Sequence, residues 1–180
     1  MVNSRDHALV ERCRRGDRRA LEELVAEYRK PVYNAAYRIL GNRDEAADAT
    51  QATFLKAFEN LDTYDPQYKF FSWIYRIAIN ESINQSRRNR KHEPLDEGEP
   101  TDAPGPDDEA ETGGLSREIQ DGLMALNQDY RTVIALRHFS DLSYREISDI
   151  LQIPEKTVKS RLYSARQLMK DQLVANGIYL

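Results

Sequence analysis

An all-α fold of two small helical domains, joined by a flexible acidic linker, is what this 180-residue chain predicts. Three observations carry the prediction. Apolar residues recur at intervals of three and four along most of the chain, the period of a helix with one buried face. Residues 93–115 hold nine Asp and Glu, no Lys or Arg, four prolines and four glycines. Residues 143–168 form two short amphipathic runs separated by an abrupt break.

In chain order, Leu9, Val10 and Cys13 share the apolar face of a first helix. The single cysteine has no internal disulfide partner and is expected as a packed core thiol. Residues 17–40 read as a long helix with Leu21, Leu24, Tyr28, Val32, Ala35, Ala36, Ile39 and Leu40 on its stripe. Pro31 is expected to kink it, and Gly41 suits the position just past its end. Asn42 with Glu45 makes a capping box for a helix over 43–60. Its apolar positions are Ala46, Ala49, Thr50, Phe54, Ala57, Phe58 and Leu61, and it leaves Asp48, Gln51, Thr53, Lys56 and Glu59 outside.

Residues 62–71 contain a proline and four aromatics and read as a loop. A helix over 72–90 follows, with Ile74, Ile77, Ala78 and Ile83 inward and Arg87, Arg88, Arg90 and Lys91 at its end. Aromatics leading into a basic helix end suit single-stranded nucleic acid, because rings stack on unpaired bases while cations track phosphates. Two plainer readings stay open: Trp73 and Phe71 as core residues, and the cations as complements of the helix C-terminus.

Charge divides the chain further. Residues 1–92 carry a net +4, residues 93–115 a net −9 and residues 116–180 a net +1, which together give the net −4. The acidic segment has too little apolar surface to offset its ordering entropy, so an extended linker is expected. It serves either as a plain tether or as a nucleic-acid mimic that occupies the flanking basic surfaces. The domains are then 1–92 and 116–180.

Within the second domain, Ser143 and Glu146 make a capping box for a helix bearing Tyr144, Ile147, Ile150 and Leu151. Gln152-Ile153-Pro154 breaks the pattern, with the proline suited to the first position of the next helix. That helix buries Val158, Leu162, Ala165 and Leu168 and turns Lys156, Lys159, Ser160, Tyr163, Ser164 and Gln167 outward. Two helices about a tight turn, the second with a polar and basic face, are the design of a helix-turn-helix. Short serines let such a helix approach base edges closely.

Taken in order, the two halves resemble a group IV (extracytoplasmic-function, ECF) RNA polymerase sigma factor of the sigma-70 family. The N-terminal half is similar to region 2 through RALEELVAEYRKPVYNAAYRILGNRDEAADATQATFLKAF and FFSWIYRIAINESINQSRR. The C-terminal half is similar to region 4 through ALNQDYRTVIALRHFSDLSYREISDILQIPEKTVKSRLYSARQLM.

The resemblance implies that the chain binds core RNA polymerase, at its β′ clamp helices and β flap, and directs it to promoter DNA. By that resemblance Asp48, Gln51, Phe54 and Lys56 dock on polymerase, with Phe54 also a candidate core support. Tyr64, Tyr68, Trp73, Tyr75, Arg76, Asn80, Arg87 and Arg88 open and hold the −10 element. Lys156, Lys159, Ser160, Tyr163 and Ser164 read the −35 element, while Arg161 and Arg166 contact phosphates. An anti-sigma factor, often membrane-anchored, is the further partner it implies.

Departures are visible. Gln152 stands where the turn often has Gly, Asn127-Gln128 where Leu-Pro is common, and Ala52 where an acidic residue often follows the Gln.

The alternative is a LuxR-type helix-turn-helix regulator acting without polymerase, although no heptad seam for a dimer follows Leu168. Enzyme readings lack parts: His7, His92 and His138 are scattered, and no phosphate loop or nucleophile elbow is present. No catalytic residue, metal or cofactor is therefore expected. No apolar run approaches membrane-spanning length and the N-terminus lacks a signal-peptide core, so a cytoplasmic protein with no direct membrane insertion is expected.

Overall fold

The computed structural model describes residues 4–92, 115–175 and 177. These form α1 (Ser4–Arg14), α2 (Arg18–Leu40), α3 (Arg43–Glu59), a 3-10 turn (Leu61–Thr63), α4 (Phe70–His92) and α5 (Leu115–Ala125). Then come α6 (Gln128–Ile134), which runs on into a π turn (Ala135–Phe139), α7 (Tyr144–Leu151) and α8 (Glu155–Ala175). There is no strand among the described residues, in keeping with the all-α expectation. The acidic linker lies outside them except for Leu115, which opens α5.

The helix ends are fixed by local chemistry. Each N-cap side chain satisfies backbone N–H groups that have no partner inside the helix. Asp17 accepts from Arg19 and Ala20, Asn42 from Asp44 and Glu45, and Asn127 from Tyr130. Ser143 and Glu146 form the full reciprocal capping box at α7. Gly41 closes α2 at φ 77°, donating its N–H to Tyr37 O. Two boundaries differ from expectation. Helix α4 starts at Phe70, two residues earlier, because Phe70 and Phe71 pack inward instead of leaving with the loop. Helix α8 starts at Glu155, with the Pro154 carbonyl accepting its first bonds from Thr157 and Val158. Helix α2 continues through Pro31.

Helices α2, α3 and α4 form a bundle with α1 laid across α2, and α6 and α8 form the centre of the C-terminal half. One apolar cluster runs through both halves, from Val10, Leu24, Ile39 and Ile74 to Leu123, Leu136, Ile147 and Leu162. Cys13 is half-buried at its margin, and burial raises its thiol pKa. Helix α4 meets α7, and α2 meets α5, α6 and the π turn.

The contact between halves is polar as well as apolar. Buried Arg131 donates from Nη1 to Ile39 O at 2.7 Å, and to the carbonyls of Leu123, Met124 and Leu126 at 2.9–3.0 Å. Two of those carbonyls, of Leu123 and Met124, belong to the end of α5 and that of Leu126 follows just past it, where helix carbonyls lack intrahelical partners and the helix dipole is negative. The cation is thus neutralised by oriented dipoles in a site too dry to leave it bare. Arg38 donates to Gln120 Oε1 at 3.0 Å, and Lys69 bridges to Glu146 at 2.6 Å.

Candidate nucleic-acid and polymerase interfaces

Three surfaces collect the residues singled out in the sequence. The first is the outer face of α8. Val158, Leu162 and Ala165 are buried, which turns Lys156, Lys159, Ser160, Tyr163 and Arg166 to solvent, with Ser164 half-buried beside them. Tyr163 is 69% exposed, a large ring with no structural task here. Lys159 Nζ lies 5.8 Å from the centre of the Tyr144 ring, which links the two helices of the motif. The turn between them closes without glycine. Gln152 adopts the left-handed conformation at φ 53°, and its side-chain amide donates to Asp149 O at 2.6 Å. Ser148 ties the same turn to Ile153 O.

Two basic residues of α8 differ in their freedom. Arg161, expected at a phosphate, pairs here with Asp129 of α6 at 2.7 Å. The cause is its register, three residues after Val158 and four before Ala165, which directs it toward α6. Arg166 is exposed and its Nε donates to His138 Nε2 at 3.2 Å. That bond needs a neutral imidazole. Burial, then Arg166 and Arg137, push the His138 pKa below its ordinary value and favour that form.

The second surface is a groove of about 260 Å³ between the 61–69 loop, α4 and the end of α7. Thr63, Tyr64, Asp65, Tyr68, Ser72, Trp73 and Arg76 line it from the N-terminal half, and Asp149 of α7 and its C-cap Gln152 from the other. Tyr68 is 61% exposed. Trp73 is half-buried, its ring centre 5.6 Å from that of Tyr64 and 5.5 Å from that of Phe70, so it packs on the core and still presents an edge to the groove. Arg76, Asn80, Arg87 and Arg88 are exposed along the same helix. Trp73, Arg76, Asn80 and Arg87 fall at i, i+3, i+7 and i+14, one face of α4. The side chains of Arg90 and Lys91 lie outside the described ones.

Two aromatics expected at this surface are core residues. Tyr64 is 2% exposed, wedged edge-on against Phe70, with its hydroxyl donating to Tyr68 O at 2.8 Å. Tyr75 is also 2% exposed, stacked near Phe71 at 4.2 Å and bonded through its hydroxyl to Pro31 O. Burial raises both phenol pKa values. Position 75 is one residue from buried Ile74 and three from buried Ala78, on the inward half of α4. Both rings are packed in the core, with Tyr64 reaching the lining of the groove.

The third surface is the outer face of α3. Asp48, Gln51 and Lys56 are exposed, and Lys56 pairs with Glu81 of α4. Phe54 is buried, inward of this face, and supports the core. Sequence patterning passed over Leu55. It is 58% exposed, four residues after Gln51 and seven after Asp48, so it shares their face. The available signal was a leucine off the Ala46–Phe54–Ala57 stripe. A single exposed leucine is common on protein surfaces, and its significance here is that it shares a face with Asp48 and Gln51.

Known proteins share this arrangement. Residues 24–92 match the family model for Sigma-70 region 2, and residues 116–169 match that for Sigma-70, region 4. The ECF RNA polymerase sigma factor SigW of Bacillus subtilis is 36% identical over 176 residues, covering 91% of this chain and 94% of that protein. The ECF RNA polymerase sigma-E factor of Haemophilus influenzae is 32% identical over 180 residues, covering 93% and 95%. Among solved structures, CnrH in complex with the cytosolic domain of CnrY superposes with a TM-score of 0.73 at 25% identity, covering 95% of this chain and 98% of that one. The fold also matches the sigma factor RpoE from Bartonella quintana, with a TM-score of 0.71 at 22% identity over 84% of this chain and 95% of that one.

Proposed function

Because the chain belongs to the ECF group of the sigma-70 family, we propose that it binds core RNA polymerase and carries it to promoters through separate −35 and −10 contacts. The observation that carries this reading is the pairing, on one chain, of a solvent-facing helix-turn-helix surface with an aromatic and basic groove. The first fits the major groove of duplex DNA, where Lys156, Lys159, Ser160, Tyr163 and Ser164 face base edges and Arg166 a phosphate. The second fits unpaired bases, with Tyr68 and Trp73 as stacking faces and Arg76, Asn80, Arg87 and Arg88 along the strand. Asp48, Gln51, Leu55 and Lys56 form the polymerase dock.

Sigma factors are generally not enzymes, and in this reading polymerase supplies the chemistry while the chain supplies recognition and strand capture. No helix among the described residues is long and apolar enough to cross a membrane, and the chain works in the cytoplasm beside its polymerase. A masking partner fits the same frame. CnrH is known in complex with the cytosolic domain of CnrY, and an anti-sigma factor is the corresponding partner here.

The test is reconstitution. Core polymerase with the chain initiates at specific promoters and core alone does not. A LuxR-type regulator would instead bind its site unaided and leave core without promoter preference. That outcome would overturn the proposal.

A further inference from the structure

Helix α1 precedes the residues matched to region 2, yet it reaches the floor of the groove. Arg14, its last residue, spans 47–50 positions of sequence to hold the loop after α3. Its Nη2 donates to Leu61 O at 3.0 Å and to Tyr64 O at 2.9 Å, with Asp62 O at 3.5 Å. Its Nη1 is fixed by Glu11 at 2.7 Å, and Nε lies 3.8 Å from the Asp62 carboxylate. A planar guanidinium with five fixed donors can serve several carbonyls at once, whereas an ammonium is a point charge on a flexible stem. Leu61 O also accepts from the Tyr64 N–H within the 3-10 turn, and the Arg14 fork adds a hold from outside the loop on the carbonyls of Leu61 and Tyr64.

The hold is transmitted to the groove. Tyr64, clamped at its carbonyl by Arg14, donates its hydroxyl to Tyr68 O. Its ring supports Trp73, and Phe70 beneath both rests edge-on against Tyr28 at 5.3 Å. Tyr28 in turn bonds Asp6 of α1 at 2.6 Å. Helix α1 thus grips the aromatic floor at both ends.

We propose that Arg14 is a positioning residue for −10 recognition: it holds the 61–69 loop in the one path that presents Tyr68 and Trp73 together to unpaired bases. The proposal rests on the assignment of this groove to the −10 element. It never touches DNA, so its loss should flatten base preference without lowering polymerase affinity.

The experiment binds reconstituted holoenzyme to a randomised single-stranded DNA library and sequences what is retained, with a randomised duplex library as the −35 control. Arg14→Lys keeps the charge and loses the fork. Its single-strand base enrichment is expected to fall about tenfold, the scale of one lost base contact, with duplex enrichment and core copurification unchanged. Undiminished single-strand enrichment would overturn the proposal. Tyr64→Phe removes only the hydroxyl strut and keeps the buried ring. If Arg14→Lys fails to fold, Tyr64→Phe must show the same selective flattening, and normal enrichment by that variant also overturns the proposal. If Trp73→Ala holoenzyme enriches the same single strands as wild type, the groove assignment itself fails and takes this proposal with it.

Discussion

At the scale of single residues, two arginines do work that no local pattern announces. Arg14 and Arg131 each gather backbone carbonyls from segments distant in sequence, up to 92 positions away for Arg131. The carbonyls they gather are main-chain atoms, which carry no side-chain signature, so neither role was legible in the sequence. The burial of Tyr64 and Tyr75 was hidden for a related reason: an aromatic ring near a basic helix looks the same in the sequence whether it faces in or out, and only packing decides. The pairing of Arg161 with Asp129, on another helix, was likewise invisible to local pattern. The outer face of α8 was legible because helical register alone separates Val158, Leu162 and Ala165 from Ser160 and Tyr163. That separation makes a prediction. Ser160→Ala and Tyr163→Ala should each change −35 base preference by about 1–3 kcal/mol at the contacted base pair, while Arg166→Ala should weaken all sequences alike. Selection from a randomised duplex library measures both effects. Unaltered preference in the first two variants would remove the base-reading role from this face.

At the scale of elements, most of the architecture was written locally. Asn42 and Ser143 cap the helices that their positions implied, and Asp17 and Asn127 cap two more, because a cap needs only the next two or three N–H groups. The left-handed Gln152 shows that a helix-turn-helix turn can form without glycine when the side chain bonds its own turn. Gly41 is less replaceable. It sits at φ 77°, and a Cβ there would meet Met124 Sδ at 2.5 Å, across the contact between the halves. Gly41→Ala should therefore lower stability by about 1–3 kcal/mol through backbone strain and overpacking together, read as a shift in urea midpoint with the slope unchanged. Helix α3 makes a different prediction, since Asp48 is exposed and none of the buried stripe depends on it. Asp48→Arg should abolish copurification with core polymerase and leave helix content and Tm nearly unaltered. Normal copurification would refute the dock, and a large fall in Tm would make Asp48 structural.

At the scale of the whole molecule, the two recognition surfaces are not equally open. The α8 face is solvent-exposed, but the groove is shared: Asp149 of α7 and Gln152 just after it line the same space as Tyr68, Trp73 and Arg76. In the proposed −10 role, parting of the halves would clear α7 from this groove and widen it for an unpaired base. Twenty-two residues between His92 and Leu115 permit separations up to about 75 Å when fully extended. The apolar cluster and Arg131 oppose parting, and Lys69–Glu146 adds a titratable latch beside the groove. The bond to Lys69, with the capping contacts to Ser143, lowers the Glu146 pKa from its ordinary 4.5 to about 2. Its stabilising contribution is therefore complete above about pH 4.5 and is lost as pH falls toward 2, so the latch is fully charged at neutral pH. The pair remains partly solvated, which limits it to about 0–1 kcal/mol, enough to bias opening and too little to forbid it. Lys69→Glu replaces that attraction with repulsion between like charges. In 50 mM salt, where screening extends beyond about 10 Å, the variant should show a larger radius of gyration by small-angle scattering at unchanged helix content. Raising the salt should shrink the difference. Identical scattering at low salt would mean that apolar packing alone sets the closed state, and that polymerase or DNA must supply all of the free energy of opening.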